Sequence, residues 1–235
     1  MKQIKVLVHK FGKWYCEKTS ELEFQAQKFI RKNERPIEYG FVFKKLLDVN
    51  PSSILDVGSG MTAFPHLLRN CGFHVTSIDN RGEYWKAGMF NRHYHVINDD
   101  ITNPRLEHTF DFITCISVLE HIREHREAIK GMFSLLNSNG YLALTFPYNE
   151  QTYIDNVYAS PDAMYGKGKS YICQAFSRSQ INEWLNQNGG ELVSQEYWKF
   201  FTGDYWTFGE QLSRPVLVDE NSLHQLTCIL IKKKS

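Results

Sequence analysis

Between Ser53 and Pro147 short apolar runs alternate with helix-like stretches, and that order admits few folds. "SILDVG" has the length and composition of a buried strand, "AFPHLLRN" is helical and stops before Gly72, and "HVTSID" is the next strand. "YHVIND" and "FDFITCIS" supply two more strands, followed by a helix through "EAIKGMFSLLNSNG" and the strand "YLALTFP". Strands joined through helices run parallel, and a parallel sheet is covered on both faces. An α/β architecture with a mostly parallel sheet follows.

The flanks are less regular. Residues 3–8 are compatible with a short strand, "SELEFQAQKFIRK" starts at a Ser20 cap, and "RPIEYGFVFKKLLDVN" reads as a second helix. Pro36 is tolerated in the first turn of that helix, which offers Ile37, Phe41, Phe43, Leu46 and Leu47 for burial. Residues 149–176 carry glycines, a proline and several tyrosines without a sustained period; an insertion after a strand of such a sheet is a place for a lid or acceptor pocket. "SRSQINEWLNQNGG" is a short capped helix, and "ELVSQEYWKFF" and "LTCILIKKK" are the last two strands. The expected organisation is one domain over 1–235, with an N-terminal extension and helices (1–50), a core (51–148), the insertion (149–176) and a C-terminal helix with a strand pair (177–235).

Lys and Arg (27) nearly balance Asp and Glu (26), so the overall charge marks neither nucleic acid nor an anionic membrane as partner, and any charged partner must be met locally. Five scattered cysteines without a Cys-x-x-Cys pair favour reduced thiols in a cytoplasmic protein over a disulfide framework or a zinc site. The apolar run before His9 is too short for a signal peptide or a membrane span.

In the first strand-to-helix turn, Gly58 and Gly60 let the backbone pass close to a ligand while the next helix presents free amide groups. Asp79 ends the second strand, where a carboxylate accepts hydrogen bonds from both ribose hydroxyls. Gly58-x-Gly60-x-x-Ala63 also fits the permissive dinucleotide pattern, which would make the chain an NAD-dependent oxidoreductase. Asp56 weighs against that, because a carboxylate two residues before the first glycine opposes a pyrophosphate and suits the ammonium and sulfonium of S-adenosylmethionine.

The linked series "ILDVGSG", "SIDN", "NDDI", "FDFITCISVLEHI" and "LLNSNGYLALTFP", within residues 36–148, resembles the class I S-adenosylmethionine-dependent methyltransferases in order and spacing. The resemblance implies a Rossmann-like, doubly wound, mostly parallel seven-stranded sheet with an antiparallel last strand, an N-terminal helical segment and an insertion after the fifth strand. It implies S-adenosylmethionine as cofactor and S-adenosylhomocysteine as product. On that resemblance Asp56 orients the methionine amino group directly or through water, Gly58, Ser59 and Gly60 form the loop under the methionine part, Asp79 clasps the ribose, and Asn80 lies against the adenosine. Asp100 and Ile101 sit beside adenine, with Asp99 as the alternative acid; Ile116 brings its backbone to the methionine portion, and Tyr39 lies on a helix across the cofactor.

The implied reaction is attack of an acceptor heteroatom on the sulfonium methyl group, in line with the departing sulfur. Alignment alone supplies about 7–11 kcal/mol in favourable cases, so a base is optional and matters most for a hydroxyl acceptor. His121, just after the fourth strand, is the candidate base, with buttressing of the next helix as the other reading; Glu120 positions the loop, and Tyr148 is a candidate donor after the fifth strand. Glu120, His121 and His125 lack the zinc-protease arrangement, and no metal is expected. "YWKFFTGDYWTF" reads as core or a homodimer interface, with a stacking wall for a sugar or aromatic acceptor as the alternative.

With no basic stripe, and with "CISVLEHI" where nucleic-acid methyltransferases carry Asn/Asp-Pro-Pro-Tyr, nucleic acid is not the expected substrate. "RPIEYGFVFKKLL" and "GMTAFPHLLRNCGFHVTSIDNRG" resemble small bacterial methyltransferases of glycan and specialised-metabolite pathways, so the expectation is O-methylation of a small polar, sugar-related or specialised molecule. A non-catalytic cofactor-binding subunit of a heteromer is the third class.

Overall fold

The computed structural model describes residues 2–25, 33–80, 82, 89 and 91–235. They fall into two compact units, Met1–Pro36 and Ile37–Ser235. In the first, helix α1 (Lys2–Gln25) runs without a break through 24 residues, replacing both the strand expected over 3–8 and the cap expected at Ser20. The reason is periodicity: Ile4, Leu7, Val8, Phe11, Trp14 and Tyr15 recur at three- and four-residue intervals, which is a helical and not a strand repeat. The rest of "SELEFQAQKFIRK", over 26–32, lies outside the described residues.

The second unit is built on one sheet. Its strands are β1 (Ile54–Val57), β2 (Val75–Asp79), β3 (Ile97–Asn98), β4 (Phe110–Ile116), β5 (Leu136–Pro147), β6 (Gly190–Phe201), β7 (Gln211–Val218) and β8 (Leu226–Lys233). They lie in the order β3-β2-β1-β4-β5-β8-β6-β7. The first five are parallel, and β8 then pairs antiparallel with both β5 and β6. The expected seven strands are present, and β7 is added antiparallel to β6 at the edge. Pro215 interrupts its strand-like pattern in the sequence, and an edge is where a sheet tolerates a residue without an amide proton.

Helices cover both faces. On one, α2 (Arg35–Val49) and α3 (Phe64–Asn70) bring Phe41, Leu46 and Leu68 to Ile54, Phe112 and Leu230. On the other, α4 (His125–Ser134) and α5 (Arg178–Asn188) bring Ile129, Met132 and Trp184 to Leu55, Ile113 and Ile231. Consecutive strand residues therefore enter opposite layers, which is why the central strands read as unbroken apolar runs. On α2 the buried arc holds Glu38, Phe41, Val42 and Leu46, whereas Leu47, expected inside, is 80% exposed.

Two local features set the spacing of these layers. A Cβ on Gly131 of α4 would lie 1.9 Å from the Ile101 carbonyl oxygen, so the close approach of helix to loop requires the glycine that otherwise weakens a helix. α4 ends at Ser134 and β5 begins at Leu136, earlier than the sequence pattern implied. α5 is capped by Ser177, whose backbone N–H (3.1 Å) and hydroxyl (2.7 Å) both donate to the Gln180 side chain, and by Gly189 in the left-handed conformation at its other end. Among the described residues no helix is long and apolar enough to cross a membrane.

Candidate active site

The glycine turn follows β1 at the carboxyl edge of the parallel strands, where ligands of such sheets collect. Gly58 has φ 76°, and a Cβ there would come within 2.4 Å of the Val118 side chain, so both backbone and space require glycine. Gly60, also left-handed at φ 52°, donates its N–H to Asp79 Oδ2 at 2.8 Å. The acid at the end of β2 thus ties down the loop it faces. Asn91, which sequence reasoning missed, closes the turn from behind by donating to the Gly60 and Thr62 carbonyls, each at 2.9 Å.

Asp56 is buried beneath this turn. It accepts the Thr114 hydroxyl at 2.7 Å and the Ser59 hydroxyl at 2.5 Å, and Ser59 is also hydrogen-bonded to Ser77. Two hydroxyl donors hold the carboxylate in place beneath the turn.

Further along the edge the two adjacent acids have different surroundings. Asp99 is buried, accepts the Arg105 backbone N–H, and is ion-paired to the Arg105 guanidinium at 3.2 Å. Asp100 is half-buried and accepts the Asn80 side-chain amide at 3.1 Å, while its other oxygen takes the Thr102 backbone N–H (2.9 Å) and hydroxyl (2.8 Å). Asn80 and Asp100 are brought together, and Asp99 is held by Arg105. Ile101 is buried in the α4 layer, and Ile116 closes β4 just before Ser117, which takes φ 47°. The Tyr39 ring stacks on Phe64 at 4.4 Å, over the start of α3.

Glu38 is fully buried, although no motif marked it. Its Oε1 accepts the hydroxyls of Ser117 (2.5 Å) and Thr145 (2.7 Å), tying α2 to the ends of β4 and β5. The signal was in the sequence: a carboxylate in the middle of the arc formed by Phe41, Val42 and Leu46 has to find buried donors.

His121 ends a 3₁₀ turn, Leu119–His121, after β4. Its Nδ1 lies 2.6 Å from the Ile172 carbonyl oxygen. A carbonyl only accepts, so Nδ1 carries the proton and Nε2 of the neutral ring keeps its lone pair. Glu120 Oε1 stands 3.9 Å from that Nε2, and the Tyr171 ring meets the imidazole edge-on at 4.9 Å. Gln174 adds its backbone N–H to the Glu120 carbonyl (2.9 Å) and its side-chain amide to the Ile122 carbonyl (2.7 Å). The insertion 149–176 is thereby clamped to the turn that carries His121. It leaves and rejoins beside β5, where Asn149 N–H donates to the Phe176 carbonyl and Phe176 N–H to that of Pro147.

Tyr148, the first residue after β5, is buried. Its hydroxyl donates to Glu150 at 2.7 Å, and Arg178 forks the same carboxylate at 2.8 and 3.2 Å while also donating to the Tyr197 hydroxyl. Burial, and then the bond to Glu150, push the Tyr148 hydroxyl above its ordinary pKa, so its proton stays with this network. His125 likewise belongs to the core: its Nδ1 accepts the Trp184 indole N–H at 3.2 Å, and burial lowers its pKa. Among the described residues no group of three or more His, Cys, Asp and Glu side chains is placed to hold a metal ion.

The aromatic run divides between core and loop. Phe200, Phe201 and Leu226 form a buried cluster with Trp206 against it. Gln225 pins the loop after β6, accepting the N–H groups of Phe200 (2.9 Å) and Phe201 (3.0 Å) and donating to the Gly203 carbonyl at 2.5 Å. Within that loop Thr207 takes φ 67°, a costly conformation for a β-branched residue. Among the described residues its buried hydroxyl finds no hydrogen-bond partner, and neither does Nε2 of buried His224.

The turn, the acids around it and the strand order define a class of protein. Residues 25–195 match the family described as a methyltransferase domain, and the chain belongs to that family, within the class I S-adenosylmethionine-dependent methyltransferases. The mitochondrial ubiquinone biosynthesis O-methyltransferase of Schizosaccharomyces pombe is 25% identical over 112 residues, 44% of this chain and 41% of that protein. Its counterpart in Haemophilus ducreyi is 26% identical over 125 residues, 47% of this chain and 51% of that one. The chain spans about half the length of the curated relatives it matches. Among solved structures, the 1,6-didemethyltoxoflavin-N1-methyltransferase of Burkholderia thailandensis superposes with a TM-score of 0.59 at 11% identity, covering 97% of this chain and 90% of that one. An S-adenosylmethionine-dependent methyltransferase of Clostridium acetobutylicum gives 0.56 at 13% identity, covering 92% and 99%. At these identities the likeness is one of fold.

Proposed function

We propose that this chain transfers the methyl group of S-adenosylmethionine to a hydroxyl of a small acceptor, with His121 as the base. The cofactor supplies an activated methyl group on a sulfonium. Asp56, Gly58, Ser59 and Gly60 would hold its methionine part together with the Ile116 backbone, Asp79 its ribose, and Asn80, Asp100 and Ile101 its adenosine, with Tyr39 lying across it. Charge supports the fit: the buried carboxylates of Asp56 and Asp79 flank one turn, a setting that favours a cationic ligand and penalises the pyrophosphate of a nicotinamide dinucleotide.

The observation that carries the hydroxyl reading is the 2.6 Å contact of His121 Nδ1 with the Ile172 carbonyl. It leaves Nε2 as the proton acceptor, and the carboxylate of Glu120 beside it favours the imidazolium formed when a hydroxyl proton arrives. The clamped insertion holds that turn in place. The relatives named ubiquinone biosynthesis O-methyltransferases support oxygen as the methylated atom. The acceptor assigned is small and polar, sugar-linked or of specialised metabolism; an aromatic hydroxyl is the second reading, favoured by the Tyr171 ring against His121.

A panel of sugar and phenolic hydroxyl acceptors with methyl-labelled cofactor tests this. Wild type is expected to label one class, and His121→Ala to lose about 10²–10⁴ in turnover with S-adenosylhomocysteine affinity unchanged. Equal turnover in the two proteins would remove His121 as base.

A further inference from the structure

α1 calls for its own explanation, because the family match begins at residue 25, where this helix ends. At 100° per residue, Ile4, Leu7, Val8, Phe11, Trp14 and Tyr15 fall on one arc of about 120°. Each is more than half exposed, between 53 and 67%. A stripe of this width and exposure is patterned for contact with an apolar surface.

The charge says what kind of contact that is. The chain as a whole is balanced, with 27 basic and 26 acidic residues, yet residues 1–16 contain four lysines and no Asp or Glu. Exposed Lys5, Lys10 and Lys13 project from the polar side, and the first acid, Glu17, lies 3.5 Å from Lys13. A lysine-bearing polar face opposite an apolar face with Trp and Tyr fits the boundary between lipid headgroups and acyl chains, where lysines reach the headgroups and aromatic rings sit at the interface. A second copy fits less well: parallel stripes would set Lys18, which falls on the apolar arc, against its own equivalent, and would leave the lysine face with no acidic counterpart.

We infer that α1 is an interfacial helix that lays its apolar stripe into an anionic lipid surface, holding the catalytic unit beside a membrane without spanning it. This inference does not depend on the methyl-transfer reading. The test is co-sedimentation of the full chain with phosphatidylglycerol–phosphatidylcholine vesicles and with phosphatidylcholine vesicles alone. Pelleting with the anionic vesicles is expected, weakened roughly tenfold or more by high salt, by neutral lipid or by Phe11→Asp, and Lys5→Glu/Lys10→Glu should remove the preference for anionic lipid. Unchanged S-adenosylhomocysteine binding by these variants would show that the second unit is intact. Failure of the wild type to pellet with anionic vesicles, or equal pelleting by Phe11→Asp, would overturn the inference. So would a dimer in sedimentation equilibrium that Phe11→Asp dissolves without any vesicle binding, because the stripe would then serve a second copy.

Discussion

Asp79 and Asp56 stand on either side of the glycine turn and do different work. Asp79 holds the Gly60 N–H, so Asp79→Ala removes both the acceptor that shapes the loop and the proposed ribose contact. S-adenosylhomocysteine affinity is expected to fall roughly tenfold or more in titration calorimetry, in keeping with hydrogen bonds to a charged group. Thr207 offers a test of a different kind. Its buried hydroxyl is unpaired among the described residues, so Thr207→Val is expected to hold or raise stability by up to about 1 kcal/mol in urea unfolding; a fall in acceptor KM performance at unchanged stability would assign the hydroxyl to substrate. At this scale the link between the glycine turn and the acid that ends β2 was legible as structure, because the Gly60 N–H bonded to Asp79 joins two positions that the sequence pattern had already paired. Asn91 and Thr207 were not, since each acquires its meaning from partners or backbone far away in sequence, and Glu38 was legible only as a carboxylate among apolar helix positions, without its donors. The network of Tyr148, Glu150 and Arg178 was not legible either, because no motif joins those three positions.

At the level of elements, α2 is fastened to the sheet by one carboxylate. Glu38→Leu strands the Ser117 and Thr145 hydroxyls and is expected to cost about 1–3 kcal/mol in urea unfolding, with Glu38→Gln, which keeps an acceptor oxygen, costing less. A Leu variant as stable as wild type would show that the apolar contacts of α2 suffice. Two buried histidines, His125 at the start of α4 and His224 just before β8, carry a pH dependence. His125 is buried and neutral, with its pKa lowered chiefly by desolvation, and His224 is shifted the same way for the same first cause. The unfolded chain therefore binds more protons than the folded one as pH falls below the ordinary histidine value of 6.5, and stability drops from there towards the lowered folded values. Thermal melts should show Tm falling between about pH 7 and 5, less steeply in His125→Gln. A Tm that rises over that interval would contradict the buried neutral state. The helices themselves were legible where apolar spacing and caps agree, as in α5; the 149–176 insertion was not, because bonds to the His121 turn and to β5, rather than any local repeat, give it form.

For the molecule as a whole, the alternation of strands and helices was enough to specify a parallel core with an antiparallel finish, because short right-handed crossovers leave few other ways to cover both faces. It did not disclose β7, whose Pro215 breaks the pattern. The central claim is that the glycine turn holds a sulfonium cofactor. Calorimetric titration of the full chain with S-adenosylhomocysteine, with NAD as the comparison ligand and Asp79→Ala as the control, tests it most directly. Saturable binding of S-adenosylhomocysteine, weakened in Asp79→Ala and absent with NAD, is the predicted result; preference for NAD, or no binding of S-adenosylhomocysteine by the folded chain, would contradict it.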